Sequence, residues 1–419
     1  MKQKRAVKMG SLMLTMVMAL RMGMAVPVSA MAADIEMEAG TPTLTVNSTT
    51  QTIGFGGQEW YVIGYNGTGI YSQANTATLL HKGAGTNPEA YGNTAFHSSS
   101  SNYLNSTLQG VMSTIAANIN TGSPGEYALI NPRTLTASDD ANYQITGGDV
   151  DDQRLWPLSY NEWDTINDGT VRGYGNWWWL RSPSNFIEAF VAVDDGSGYG
   201  PHNVIIANHA ARPALNLNLT SVLFTSAAAG GKSKPATAGA SLSSAEPTTG
   251  AVKLTVLDNY NAATNPTGLS LNVVDTSART AAQGSTVSIG YTGAQTGTGR
   301  SVSVLICDTL YGTPLYYGRP VDLTTINADG TASFTVPALL GAGSYRIQIF
   351  NEEVNGDNET DFASTPINIS LTITARAAIL PVPKTGDDFP FVELTALMAA
   401  LGIGAYLLLR KRRAGKRQR

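Results

Sequence analysis

The second half of the chain is marked by short runs in which apolar and polar residues alternate. A period of two is typical of strands that bury one face. Glycine-containing turns, such as Asp329-Gly330, separate the runs. The pattern predicts strands at 252–257, 269–274, 286–291, 301–307, 331–336, 345–350 and 367–373. We therefore expect residues 245–374 to form an all-β domain.

The first half mixes two periods. Short apolar stretches at 53–64, 78–80 and 189–193 predict strands, whereas apolar residues in 98–119 recur at helical spacing and predict a helix. Ser159 and Glu162 have the spacing of a capping box, which begins a short helix. This mixture favours an α+β domain over residues 43–224.

Residues 225–244 separate the two halves and are rich in Ala, Gly, Ser, Lys and Pro. Because that composition is typical of a flexible linker, we place the domain boundary there and expect two independently folding domains. The chain has one cysteine, Cys307, which excludes an intramolecular disulfide. A buried, unreactive thiol is the favoured interpretation.

Charge is distributed unevenly along the chain. The formal net charge is −4, and Lys and Arg are concentrated at the two ends. The part between the ends is therefore acidic, which argues against a nucleic-acid partner.

The N-terminal sequence has the order of a secretory signal. Lys2, Lys4, Arg5 and Lys8 precede an apolar stretch that reaches Val28 and ends in small residues. This predicts a cleaved signal peptide over residues 1–32, with an uncleaved N-terminal anchor as the alternative.

The C-terminal sequence has three parts in a fixed order. The pentapeptide Val382, Pro383, Lys384, Thr385 and Gly386 is followed by an apolar run at 389–409 and a basic tail at 410–419. The run is long enough to cross a bilayer as a helix, and the positive tail would stay on the cytoplasmic side. A single-span membrane protein with a coincidental motif is the alternative.

This order resembles the cell-wall sorting signal of Gram-positive bacteria, with Val382 in place of the usual leucine. The resemblance implies that a sortase cysteine attacks the carbonyl of Thr385 and expels Gly386. The acyl group then passes to an amine of the peptidoglycan precursor. The expected partners are sortase and peptidoglycan, and the expected location is the cell wall, after a transient stage in the plasma membrane.

Five motifs follow one another in residues 43–224, at 55–64, 101–105, 158–162, 177–183 and 212–215. Their order resembles a domain family of uncharacterised function common in exported clostridial-type proteins. That family in turn resembles the C-type lectin-like fold shared with formylglycine-generating enzymes. The resemblance implies an α+β C-type lectin-like head.

Residues 245–374 resemble the Ig-like sandwich domains that form stalks in bacterial surface proteins. Pilin shafts of this type often carry isopeptide bonds between lysine and asparagine. The resemblance therefore makes Lys253 a candidate partner of Asn368 or Asn272, although an exposed strand lysine is the favoured interpretation.

No catalytic constellation is evident. The formylglycine-generating relatives need reactive cysteines, and residues 43–224 contain none. The four histidines His81, His97, His202 and His209 do not have the spacing of a standard metal site. We therefore expect a binding protein without a metal, with an exported enzyme of unknown activity or a purely structural surface protein as alternatives.

The predicted ligand surface consists of Trp177, Asp194, Asp195, Tyr199 and Asn203, in or beside a polar, glycine-rich segment. Glycines flank Tyr199, so its ring is a candidate for stacking on a sugar. The expected ligand is an extracellular glycan or a protein. Calcium bound by Asp194 and Asp195 is the only cofactor left open.

The two arginines of the last motifs are expected to be structural. Arg181 and Arg212 are each predicted to pair with a carboxylate such as Glu162 or Asp194 and to fix the loops.

Overall fold

The computed structural model describes residues 35–39, 42–83, 91–140, 148–235, 240–246, 250–258, 268–309, 312–325 and 328–375. These described residues belong to one compact unit. The predicted signal peptide, the sortase motif, the apolar run and the basic tail all lie outside the described residues. No helix within the described ranges is long and apolar enough to cross a membrane.

The described α-helices all lie in the first half of the chain. They are α1 (Thr107–Gly122), α2 (Pro124–Leu129), α3 (Tyr160–Asp164) and α4 (Gly169–Arg172). Helix α1 begins later than the predicted start at residue 98. The serines and asparagines before it bond the local backbone instead, for example Asn102 Oδ1, which accepts from the Leu104 amide at 3.1 Å. Ser106 then caps the helix by accepting from the Gln109 amide.

The strands of the first half are short. They are β1 (Ile35–Ala39), β2 (Thr52–Phe55), β3 (Gln58–Tyr65), β4 (Thr68–Gly69), β5 (Thr76–His81), β6 (Asn93–Thr94), β7 (Ile130–Asn131), β8 (Arg133–Leu135), β9 (Val150–Gln153), β10 (Leu155–Trp156), β11 (Trp178–Asn185), β12 (Glu188–Ala192), β13 (Tyr199–Asn203), β14 (His209–Ala210), β15 (Ala214–Asn218) and β16 (Val222–Ala227).

Two sheets organise this half. Strands β2, β3, β5 and β15 pair in that order and antiparallel, and β7 and β10 share the far edge of β15. The β2–β3 hairpin turns at Gly56 and Gly57, both with positive φ. The second sheet has the order β13-β12-β11-β14-β6. The first hydrophobic core contains the fully buried Trp60, Trp156 and Trp178.

The strands of the second half are β17 (Ala240–Ser241), β18 (Ser243–Glu246), β19 (Val252–Leu257), β20 (Asn272–Val273), β21 (Arg279–Ala282), β22 (Thr286–Thr292), β23 (Arg300–Asp308), β24 (Pro314–Asp322), β25 (Gly330–Thr335), β26 (Gly343–Glu353), β27 (Asp361–Ala363) and β28 (Ile367–Thr374). A four-stranded sheet has the order β17-β25-β22-β20. The second core contains Ile289 and Phe334 from that sheet together with Val304, Ile347 and Leu371 from β23, β26 and β28.

The two halves are joined by a closed ring of strands. Each pairs with the next in the order β16, β1, β18, β24, β23, β26, β27 and β19, and β19 pairs back to β16. A third apolar cluster takes residues from five strands of this strand ring, among them Phe224, Tyr317 and Phe350. Its cysteine, Cys307, is buried, and burial raises the pKa of that thiol to about 12, as expected for an unreactive thiol.

The predicted fold class is wrong. The described residues form 28 strands against four α-helices, and only α1 is longer than six residues, so the first half is mostly β and not an α+β lectin-like head. An isolated Ig-like sandwich is not formed either. Strand β19 pairs with β16 and β2 of the first half as well as with β27.

The predicted flexible linker is also wrong over its described part. Thr225 and Ser226 belong to β16, pair with β1 on one edge and β19 on the other, and are fully buried. Further along, the Lys232 side chain is only 1% exposed. Residues that pack this closely do not separate two domains, so the boundary at 225–244 does not hold.

The favoured interpretation of Lys253 as an exposed strand residue is wrong, because its side chain is 4% exposed and its Nζ lies 2.9 Å from Asp361 Oδ1. Asn368 accepts instead from Gln348 Nε2, and Asn272 lies on β20 in the four-stranded sheet.

Candidate functional site

A cavity of about 600 Å³ opens on the first half of the molecule, beside α3 and the loop between β4 and β5. We call it the Tyr71 cavity. It is lined by Asn47, Ile63, Gly69, Ile70, Tyr71, Arg133, Asp139, Asn161, Glu162 and Thr165. Charged and amide side chains share its wall with an aromatic ring, which is the composition expected of a site for a polar ligand.

The floor of the Tyr71 cavity is a buried ion-pair network centred on Glu162. Arg133 Nη1 donates to Glu162 Oε1 at 2.9 Å, and Arg181 Nη1 donates to Glu162 Oε2 at 2.5 Å. Asp139 is the second carboxylate, 2.8 Å from Arg133 Nη2. Burial alone would raise the pKa of Glu162, but Arg181 and Arg133 lower it to about 2. The carboxylate is therefore charged at neutral pH and holds both guanidinium groups in place.

The capping box predicted from the sequence positions Glu162. Ser159 Oγ accepts from the Glu162 amide at 3.1 Å, and Glu162 Oε2 accepts from the Ser159 amide at 2.9 Å. This confirms the predicted start of α3 and the predicted pairing of Arg181 with Glu162. The helix end thus fixes the carboxylate that the two arginines share.

Arg133 packs against two aromatic rings. Its guanidinium carbon is 3.8 Å from the centroid of the Tyr71 ring and 4.8 Å from that of Trp156. Tyr71 has a φ of +41° and is 37% exposed, so one part of its ring covers the arginine while another faces solvent. The ion-pair network below Arg133 keeps this exposed ring in one position.

The remaining polar wall offers hydrogen-bonding groups. Asn47 has a φ of +59°, and its Oδ1 is buried without a hydrogen-bond partner among the described residues. Asn161 and Thr165 line the same cavity from α3 and its C-terminal cap. A ligand with several hydroxyl groups would find both an aromatic face and amide groups here.

The structure does not bring the five predicted ligand residues into one cavity. Tyr199 is 44% exposed, but its ring packs against other aromatic rings, with a centroid 4.5 Å from Tyr160, 5.6 Å from Trp163 and 5.4 Å from Phe190. The flanking glycines therefore do not leave the ring uncovered. The Tyr199 ring is therefore both packed against aromatic neighbours and partly exposed, and its predicted stacking on a sugar stays an untested prediction.

Trp177 belongs to a different cluster. Its ring is 37% exposed and lies 4.7 Å from the His202 ring and 5.9 Å from the His209 ring, nearly parallel to the latter. His202 Nδ1 and His209 Nε2 lie 2.8 Å apart. Since side chains alternate along β13, His202 and Tyr199 face opposite sides of that strand, so Trp177 and Tyr199 do not share a surface.

Asp194 and Asp195 line a second cavity, of about 380 Å³, with Tyr61 and Lys82. Their carboxylates serve the turn: Asp194 Oδ1 accepts from the Asp195 amide and Asp195 Oδ1 from the Ser197 amide. Within the described ranges, no group of three or more His, Cys, Asp or Glu side chains could hold a metal ion. Calcium binding there stays an untested prediction.

Asn203 also stabilises a turn, since its Oδ1 accepts from the Ile205 amide at 3.2 Å.

Arg212 is fully buried, but the prediction of a carboxylate partner is wrong. Its three nitrogens donate to the carbonyl oxygens of His81, Arg172 and Val171 at 2.8 to 2.9 Å. Its guanidinium also lies against the rings of Tyr174 and Trp178. Burial lowers its pKa to about 10, so it stays charged at neutral pH and ties three backbone segments together.

Sequence reasoning missed Tyr71 and Arg133. They lie on a loop and a short strand, with no motif to mark them. The only signal was the capping box, which identified Glu162 and with it the centre of the network.

No protein-family model matches this chain, and no curated protein matches it.

Proposed function

We propose that this chain is a surface protein that sortase joins to the Gram-positive cell wall through Thr385. We further propose that its outward part binds an extracellular ligand rich in hydroxyl groups, such as a glycan, in the Tyr71 cavity. The observation that supports attachment is the order of the pentapeptide, the apolar run and the basic tail.

The support for binding is the exposed ring of Tyr71. A ring held at 3.8 Å over the Arg133 guanidinium is preorganised, so little conformational entropy is lost when a sugar stacks on it. The adjacent Asn47 and Asn161 supply amide groups for hydroxyls.

Attachment is tested by Thr385→Ala. The variant should lose its covalent link, so that detergent releases it from cells, whereas wild-type protein should be released only by wall-digesting enzymes. Thr249→Ala is the matched control, because Pro247-Thr248-Thr249-Gly250 has the same Pro-x-Thr-Gly spacing but no apolar run or basic tail after it. A Thr385→Ala protein that still needs wall digestion for release would refute the attachment proposal.

Binding is tested with the part of the chain that would be exported, residues 33–385, on a glycan array. Tyr71→Ala should weaken binding of any glycan found by at least about tenfold, or about 1.4 kcal/mol, as expected for an anchoring aromatic residue. Phe186→Ala removes another exposed ring, 77% accessible and outside the cavity, and should leave affinity unchanged. Equal losses in the two variants, or no glycan bound by wild type, would reject the Tyr71 cavity as a glycan site.

A further inference from the structure

The interior of the strand ring holds a cluster of charges that the proposed binding function does not use. It consists of Lys232, Lys253, Glu352 and Asp361, and we call it the charged cluster. Their side chains are 1%, 4%, 0% and 0% exposed. Charges withdrawn this far from water carry a large desolvation cost, so an arrangement that removes some of them would be favoured.

Two of these side chains are in direct contact at a nitrogen and an oxygen that can react. Lys232 Nζ lies 2.7 Å from Asp361 Oδ2 and 2.5 Å from Glu352 Oε1. Nζ donates hydrogen bonds to Glu352 and to Thr255, not to Asp361. Asp361 Oδ2 is therefore a buried carboxylate oxygen that touches the Lys232 amine and accepts no hydrogen bond from the residues that the structure describes.

The other oxygen of the same carboxylate accepts two hydrogen bonds. Asp361 Oδ1 accepts from Lys253 Nζ at 2.9 Å and from the Asn355 amide at 2.8 Å. Two donors to one oxygen draw electrons from the carboxyl carbon, which favours attack on that carbon. Hydrogen bonds thus hold and polarise the carboxyl group at Oδ1, whereas Oδ2 accepts none from the described residues.

We infer that Lys232 and Asp361 form an intramolecular amide bond. Lys232 Nζ bonds to Asp361 Cγ, the bond from Cγ to Oδ2 breaks, and Oδ2 leaves as water with two protons from the original ammonium group. The balance is one ammonium and one carboxylate converted to one secondary amide and one water, with no oxidant or other reactant. The reaction removes two buried charges and the oxygen that lacks a hydrogen bond.

Glu352 is placed to carry the proton. Its Oε1 touches Lys232 Nζ, so it can take a proton from the ammonium, free the nitrogen lone pair and return the proton to the departing oxygen. Its Oε2 accepts from Tyr317 at 2.6 Å and from Ser303, which fixes the carboxylate in position.

Lys253 is the less suitable nucleophile. Its Nζ contacts the retained oxygen Oδ1, donates to the carbonyl oxygens of Asn355 and Gly356, and makes no contact with Glu352 among the described residues. It acts instead as the cation that polarises the carboxyl group. The two lysines are therefore matched in burial but different in role.

The bond would tie the segment after β16 to β27 and close the strand ring covalently between the two large cores. A crosslink that closes a long loop limits the unfolded chain and stabilises the fold, as a disulfide does. With a single cysteine in the chain, no intramolecular disulfide can provide that stabilisation.

The test is peptide mapping of the full chain after denaturation and tryptic digestion. The expected product is a branched peptide that joins Lys232 to Asp361, lighter than its two linear parts by one water molecule and uncleaved after Lys232. Linear peptides alone would overturn the inference and leave an ion-pair cluster. A branch at Lys253 instead would overturn the assignment of Lys232. Neither result depends on a variant that must fold.

Variants separate the roles. Lys232→Arg should abolish the branched peptide, whereas the matched Lys253→Arg keeps a cation at Oδ1 and should retain it in the folded fraction. Glu352→Gln keeps the shape without a titratable proton, and should lower the crosslinked fraction at least about tenfold in a timed refolding experiment. Equal crosslinking in Glu352→Gln and wild type would overturn the role given to Glu352.

Discussion

Two fully buried arginines in the first half of the molecule are stabilised in different ways. Arg181 shares the carboxylate of Glu162 with Arg133, so its charge is balanced by a buried anion. Among the described residues, Arg212 donates to carbonyl oxygens and packs against aromatic rings, and no carboxylate pairs with it. A carboxylate partner can be guessed from a capping box, whereas three carbonyl oxygens from separate segments leave no pattern in the sequence.

Buried His81 makes stability depend on pH. Burial and, to a lesser extent, Arg212 lower its pKa from 6.5 to about 3, while its Nδ1 lies 2.6 Å from the Tyr174 hydroxyl. The unfolded chain therefore binds a proton below about pH 6.5 that the folded chain excludes. This contribution to stability is complete above that pH and is lost as pH falls towards 3.

The prediction is that the free energy of unfolding falls by up to about 1.4 kcal/mol per pH unit from this group below pH 6. Urea unfolding between pH 5 and 7.5 measures it. His81→Asn should be less stable than wild type at pH 7.5, yet its free energy of unfolding should change less with pH. Some pH dependence should remain in both proteins, because burial lowers the pKa of His209 to about 4 and this group also lowers stability as pH falls. A variant profile parallel to wild type would contradict the assignment to His81.

At the scale of elements, alternation along single strands predicted much of the second half correctly, including β19, β22, β23, β25 and β28 within one or two residues. The partners of those strands were not predictable. Strand β19 places Leu254 in the first core and Thr255 inside the strand ring, because its two faces contact different clusters. Composition alone led to the wrong prediction that residues 225–244 form a linker. Small residues are compatible with closely paired strands as well as with a flexible segment.

The pairing of β16 changes the expected pattern of proteolysis. Strand β16 lies between β1 and β19, and Thr225, Ser226 and Ala228 are buried, so residues 225–228 should resist a protease of broad specificity in the native protein. The measurement is limited proteolysis with the cut sites identified by mass spectrometry. The same digestion in urea is the control and should cut this segment rapidly. Early native cleavage within 225–228 would show that the pairing is not maintained in solution.

On the scale of the whole molecule, the strand ring makes the two large cores depend on each other. Strand β19 contributes Val252, Leu254 and Val256 to the first core, although it lies beyond the end of the predicted head at residue 224. A fragment of residues 43–224 lacks these side chains and the partner strand of β16. We therefore expect the chain to unfold as one cooperative unit up to Ala375, not as two domains.

Matched cavity-forming variants test this cooperativity. Leu254→Ala in the first core and Ile347→Ala in the second both truncate fully buried side chains, and each should cost about 2–5 kcal/mol. If the cores unfold together, differential scanning calorimetry of residues 33–385 shows one transition that both variants move downwards by similar amounts. Its calorimetric and van't Hoff enthalpies should agree. The ring strands carry residues of both cores on their outer faces. Unfolding of one core would therefore disrupt strands that the other core packs against. Two transitions, each shifted by only one of the variants, would instead mean that the ring opens before either core and that the halves are separate folding units.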